Sequence, residues 1–319
     1  MFGYEEIILK KENGENFFYQ KRKIKKLLEE IEELIKQNPI LEKYDAAEKE
    51  LKKSTNKVKE RNLQDAFSYI KEKSNLSEKT LKELYDRINK GLLSDDTIKS
   101  MGQLYRNEEV YITSSKMDIS SLINADKGVS KDKIEECMNS LFQYSESKTE
   151  SREEAFIKSQ IIHFYFVYVH PFSDSNGRCA RVLGVQYLKN HNASPYTSFY
   201  EGIKNHRREY KEAIQKSKKG NLTPFLELMA RLVKIELKKE LIIQNVDLPQ
   251  KERDTLNYIL STNHQTLREV REMFMEHERI PEQNKVIERI IPLLEKGIIR
   301  IEYDKIVLNE SKQIIKNRE

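Results

Sequence analysis

A mainly α-helical protein is predicted, with one short β-hairpin set among the helices and a small helix-and-hairpin domain at the C-terminal end. Three observations carry this expectation. Apolar residues recur at three- and four-residue spacing through most of the chain. The interior stretch Tyr105-Arg106-Asn107-Glu108-Glu109-Val110-Tyr111-Ile112 is β-prone in otherwise helical surroundings. Beyond Leu248, three helical patterns lead to Ile298–Leu308, two alternating runs around a turn.

The elements follow in order. Ile7-Ile8-Leu9 ahead of Asn13-Gly14 reads as a strand or a loose arm. Ile24, Leu27, Leu28, Ile31, Leu34 and Ile35 make an amphipathic helix over Lys21 to Gln37, stopped by Asn38-Pro39. A charged helix is expected from Leu41 to Lys73, broken near Ser54-Thr55-Asn56. Ser77 caps a helix carrying Leu81, Leu84, Tyr85 and Ile88, with Gly91 as its stop. Ser130 is placed as the cap of the helix containing Ile134, Met138, Leu141 and Phe142. The segment from Ala155 to Val169 is apolar nearly all round, which implies a buried helix. Ala180 to Leu188 resumes the helical pattern, and further helices are expected over Gly202–Lys218 and from Thr223 to Ile243. His163 faces the apolar interior and is read as a hydrogen-bonded core histidine.

A length of 319 residues suits about two domains. The 57 basic and 52 acidic residues nearly cancel, leaving +5, so no bulk charge obliges a nucleic-acid partner. Cys137 and Cys179 lie far apart and without metal-ligand spacing, which argues against a disulfide framework. No apolar run is long enough for a signal core or a membrane span, so the reading is no membrane and a reducing cytoplasm.

Chemistry concentrates in His170-Pro171-Phe172-Ser173-Asp174-Ser175-Asn176-Gly177-Arg178-Cys179-Ala180-Arg181, a tight polar loop between two apolar helices. Pro171 ends the first helix and disfavours helical geometry at His170. Ser175-Asn176-Gly177 can turn successive amides into a concavity at the start of the second helix, an anion site by construction. Arg178 and Arg181 stand in its first turn, where the helix dipole alone would prefer acids, so an anionic ligand is implied. Asp174 is a hard donor suited to Mg²⁺ shared with phosphate oxygens, and His170 can act as a general base. A buried helix pair has no packing need for so many polar groups.

This string resembles the signature of the Fic family, His-Pro-Phe-x-Asp/Glu-Gly-Asn-Gly-Arg-x-x-Arg, meeting eight of its nine specified positions. Ser175 is the departure, standing where the family usually has glycine; if the position needs a positive φ, it adds strain. The resemblance implies a Fic-type helical core with a short β-hairpin flap, and a protein adenylyltransferase that moves AMP from ATP to a Ser, Thr or Tyr hydroxyl of a protein, itself included. It assigns His170 as base, Phe172 as buried anchor within the nucleotide loop and Asp174 as Mg²⁺ ligand. Ser175, Asn176, Gly177, Arg178 and Arg181 then hold the phosphates, so that pyrophosphate leaves. Val110, Tyr111 and Ile112 become the flap edge along which a target segment pairs, with a core-filling connector as the open alternative. Tyr200 and Tyr210 are candidates for the base pocket, against a core position for Tyr210. A Ser/Thr-x-x-x-Glu-Gly/Asn inhibitory pattern occurs once, at Thr197–Gly202, and is read as chance because it follows the active-site helix.

The domain reading is 1–55 as an N-terminal helical region, 56–245 as the catalytic core and 246–319 as a winged helix-turn-helix-like domain. Residues 248–319 hold 13 basic and 13 acidic residues and no net charge, so a protein-docking or homodimer module is favoured over DNA binding. Two other functions stay open: a nucleotide-sensing regulator with weak catalysis, and transfer from another phosphate-containing donor.

Overall fold

The N-terminal strand does not hang loose. Alternation of Ile7 and Leu9 on one strand with Phe17 and Tyr19 on the next puts all four side chains on one buried face. In the computed structural model this gives an antiparallel hairpin, β1 (Tyr4–Lys10) and β2 (Asn16–Gln20), with a register shift between Glu6 and Lys10. The structure describes residues 3–45, 57–71, 76–92, 104–112, 126–245, 248–260, 266, 268, 270, 283–302 and 305–308. The sequence expected one strand at most; Phe17 and Tyr19 were the overlooked partners.

Helix α1 (Lys21–Gln37) buries Ile24, Leu28, Ile31 and Ile35, and Asn38-Pro39 converts its exit into a 3₁₀ turn, Pro39–Lys43. The helix expected from Leu41 to Lys73 therefore starts differently. Its first residues belong to that turn, the break near Ser54 lies outside the described residues, and α2 covers Lys57–Lys71. Ser77 caps α3 (Glu78–Asn89) as expected, its hydroxyl accepting from the Thr80 amide at 3.2 Å. A two-residue ladder then pairs β3 (Tyr111–Ile112) with β4 (Asp126–Lys127). Ser130 opens a 3₁₀ turn without a side-chain cap, and α4 (Ile134–Glu146) follows it.

At the centre stands α5 (Arg152–Val169), buried on nearly every side, packed most closely on α6 (Asn176–Asn190). Its apolar surface explains this, and Gly184 permits it: a Cβ there would sit 3.2 Å from the Phe199 ring and 3.3 Å from Ser159 Oγ. Ser159 Oγ donates to the Gly184 carbonyl at 2.9 Å across the same contact.

The helix expected over Gly202–Lys218 is two, α7 (Phe199–Asn205) and α8 (Arg207–Ser217), because His206 leaves helical geometry between them. Helix α9 (Thr223–Asn245) closes the core against α1, α7 and α8. One continuous cluster of buried residues runs from Ile7 to Leu241. The N-terminal region begins as a hairpin rather than a helix, and β2 is stitched to the start of α9 by Leu222 N to Phe18 O at 2.8 Å.

A second, separate apolar cluster joins Leu248, Leu256, Ile259, Val270, Ile290, Leu293, Ile298, Ile299 and Ile306. It is built by α10 (Gln250–Leu260), α11 (Gln283–Glu295) and the hairpin β5 (Ile299–Glu302) with β6 (Lys305–Leu308). The helix expected over Thr266–Phe274 lies largely outside the described residues.

Candidate functional site

The polar loop sits where α5 hands over to α6. Pro171 forbids continuation, and His170 ends α5 in the left-handed region, φ 54° and ψ 58°, its amide donating to Phe166 O at 3.0 Å. Histidine tolerates that region better than most residues. Phe172 is fully buried, with its ring against Tyr85, Tyr105 and Phe166, which pins the loop to the core. Asn176 clamps the turn from within: Phe172 N donates to its Oδ1 at 2.9 Å and its Nδ2 donates to Phe172 O at 2.7 Å.

His170 is half-buried, and burial pulls its pKa down to about 4. Its Nδ1 lies 3.3 Å from Val167 O. A neutral ring that donates from Nδ1 to this carbonyl leaves Nε2 unprotonated, the state a general base needs.

Across the loop, α6 opens at Ser175. The first-turn amides that follow have no carbonyl four residues back within the helix, so this end is electropositive and fit for anions. No acidic residue occupies its first turn. Gly177 lies beside a guanidinium: a Cβ at that position would stand 3.5 Å from Arg181 Nη1, an ordinary van der Waals contact. Arg181 also lies over the Tyr200 ring, Cζ to centroid 5.8 Å. Asp174 keeps its carboxylate 66% exposed.

Arg106 ties the base of the β3–β4 pair to this loop. Only 6% exposed, it donates from Nε to His170 O at 2.7 Å, from Nη1 to Glu108 O at 2.6 Å and from Nη2 to Val129 O at 2.5 Å. Its own amide donates to Pro171 O at 2.9 Å. Gly128 is tightly enclosed by the same neighbours: a Cβ there would lie 2.9 Å from Arg106 Nη2, 3.1 Å from Val110 Cγ2 and 3.5 Å from His170 Cβ. A short ladder thus stands near a histidine, a carboxylate and two guanidiniums at a helix N-terminus.

Residues 75–188 match the Fic/DOC family. The Fic/DOC segment thus takes in α3, the β3–β4 ladder, α4, α5, the polar loop and nearly all of α6. Over 69 residues, 22% of this chain, the sequence is 33% identical to a protein named Protein adenylyltransferase Fic from Nematostella vectensis; the match spans 15% of that relative's length. Among solved structures, a Fic family protein from Desulfovibrio desulfuricans G20 is similar at TM-score 0.47 and 17% identity, over 82% of this chain and 76% of that one. Fic-1 from C. elegans is similar at TM-score 0.42 and 18% identity, over 60% of this chain and 53% of that one.

Within the Fic/DOC segment, His170, Asp174, Gly177, Arg178 and Arg181 share one loop and the first turns of α6, and Val110 and His170 both face Gly128. Phe172 is walled in by aromatic rings, so its side chain anchors the loop. The Asn176 side chain is 2% exposed and both ends of its amide bond to the Phe172 backbone, so it shapes the loop. Ser175 does require a positive φ, 68°, and its amide donates to Asp174 Oδ1 at 2.5 Å. Tyr111 and Ile112 form β3.

Away from the loop, His163 is the core residue expected, Nε2 to Tyr210 Oη 2.8 Å, and burial drives its pKa down to about 3. That contact places Tyr210 in the core rather than in a base pocket. Glu201 of the Thr197–Gly202 pattern pairs with Lys239 at 3.4 Å. Sequence reasoning missed Arg106, Gly128 and Asn89. Arg106 left one signal, a single cation inside a β-prone run; Asn89 left none, reading as an ordinary residue before the Gly91 stop.

Proposed function

We propose that this protein is an adenylyltransferase that moves AMP from ATP to a Ser, Thr or Tyr hydroxyl of a protein. The observation that carries this reading is His170: a neutral imidazole, held at Nδ1 by Val167 O, at the mouth of an electropositive helix end that bears two arginines. The acceptor oxygen attacks the α-phosphorus and its proton passes to His170 Nε2. The bond from the α-phosphorus to the bridging oxygen breaks, and pyrophosphate leaves. The chain's contribution is positioning and charge neutralisation by the α6 amides, Arg178 and Arg181.

Asp174 is the residue that would hold Mg²⁺. One exposed hard carboxylate fits that ion, which takes one or two carboxylates together with phosphate oxygens and water. Bound there, Mg²⁺ would supply charge neutralisation on the triphosphate. Among the described residues no cluster of three or more metal-ligating side chains occurs. The β3 edge, residues Val110, Tyr111 and Ile112, is the proposed docking strand for the target. Residues 246–319 are proposed as a winged-helix-like docking or dimerisation module, with DNA binding as the rival reading.

ATP labelled at the α-phosphate tests the proposal. Label should enter protein in the presence of Mg²⁺ and be lost in His170→Ala; labelling that survives the substitution removes His170 as base.

A further inference from the structure

Arg178 is not presented to the loop's concavity but tucked against α3. Its Nη2 donates to Ser175 Oγ, to Asn89 Oδ1 at 3.2 Å and to Asp174 Oδ2 at 3.4 Å. Ser175 Oγ in turn donates to Asn89 Oδ1 at 2.5 Å, and Asn89 is anchored by Nδ2 to Tyr85 O at 2.9 Å. Asn89 is 4% exposed. The other terminal nitrogen, Nη1, is buried without a partner among the described residues. So the guanidinium rests in a pocket that satisfies one end and starves the other. Such a resting place is good enough to hold a cation and poor enough to lose it to a richer set of oxygens.

We propose that Ser175 and Asn89 form a latch that parks Arg178, so that a triphosphate must break it before the arginine can grip the outer phosphates. The inference rests on the nucleotide-binding reading above and concerns regulation of that same site. Glycine at position 175 could adopt the same φ but would bring no hydroxyl, so the latch follows from serine standing there. Opening separates two charges that now neutralise each other: Arg178 turns to phosphate and Asp174 is freed. The affinity for a triphosphate is reduced by whatever fraction of molecules is parked. A nucleoside monophosphate, which lacks the outer phosphates, does not draw on Arg178 and is bound without opening the latch.

The test uses the full chain with Mg²⁺ and two probes, α,β-methylene ATP, which cannot be cleaved at the reacting bond, and AMP. Ser175→Ala removes the hydroxyl while keeping the Cβ and its backbone cost. Loss of one hydrogen bond to a charged group should tighten the triphosphate analogue by about 10- to 100-fold, with AMP unchanged. Ser175→Gly should move in the same direction. Asn89→Asp, which adds a negative charge beside Arg178, should weaken the analogue and leave AMP alone; this reversal of sign is not what simple damage to the fold would produce. Thermal unfolding of each variant identifies any that is merely misfolded, and Ser175→Gly, with the backbone eased, then serves alone. If Arg178→Ala weakens the analogue but the Ser175 variants bind it as the wild type does, the latch is wrong and the nucleotide reading stands. If neither probe binds wild type or variants, both fall.

Discussion

Arg106 offers the sharpest test of how the histidine is held. Three separate nitrogens of its guanidinium meet three carbonyls, His170 O, Glu108 O and Val129 O, at 2.7, 2.6 and 2.5 Å. Lysine carries the same charge on a single nitrogen and reaches at most two of them. Arg106→Lys therefore loses at least one charge-assisted bond, a cost of about 1.5–3 kcal/mol. Arg106→Met loses all three; with a discount for solvent reaching the exposed Glu108 end, about 3–5 kcal/mol is expected. The functional cost should exceed that of a remote core lesion, because the His170 carbonyl loses its tether and the ring its fixed place. A displacement of the order of 1 Å costs about 100-fold in a positioned reaction, so single-turnover transfer should fall by roughly 10- to 100-fold in Arg106→Lys. The assays are urea unfolding and a rapid-quench measurement of label transfer at saturating ATP. If Arg106→Lys matches the wild type in both urea midpoint and transfer rate, the proposed fastening of β3–β4 to the loop is wrong.

Two further outcomes follow from particular contacts. Because burial lowers the pKa of His170 from 6.5 to about 4, the neutral base persists below pH 6. The acid limb of kcat/KM should therefore fall near pH 4, and a limb at 6.5 would mean the ring is open to water. The same shift contributes to stability: the neutral ring is favoured in the fold, so this contribution is full above about 6.5 and lost as pH falls through about 4. Acid unfolding should be followed alongside the rate. Gly202→Ala places a Cβ 2.7 Å from Leu232 Cβ, at the packing of α7 on α9, and should destabilise by about 1–3 kcal/mol in urea unfolding, since neither backbone is free to retreat.

Much of this molecule was open to reading from residue order. The apolar run from Ala155 to Val169 could only be a buried helix, and Pro171 had to end it. The order His170, Asp174, Arg178, Arg181 around a glycine-bearing turn then declared an anion site, because each residue type has its chemistry fixed by its functional groups. Local signals of this kind survive folding unchanged, as do the Ser77 cap and the hairpin at Ile299–Leu308.

What tertiary structure decided was the use each polar group is put to. The motif names Asn176 and Phe172 without their partners; in the fold one is bonded to the loop's own backbone and the other packs among aromatic rings. Arg178 meets Asn89 across 89 positions of chain, and Arg106 meets His170 across 64. No periodicity encodes such pairs, since they exist only once α3, β3 and the loop have been brought together. The left-handed turn at Ser175 is of the same kind, a backbone state imposed by the α5–α6 handover on a residue that does not prefer it. Sequence determined which chemical groups the protein owns; packing determined which of them remain available to a substrate and which are already spoken for.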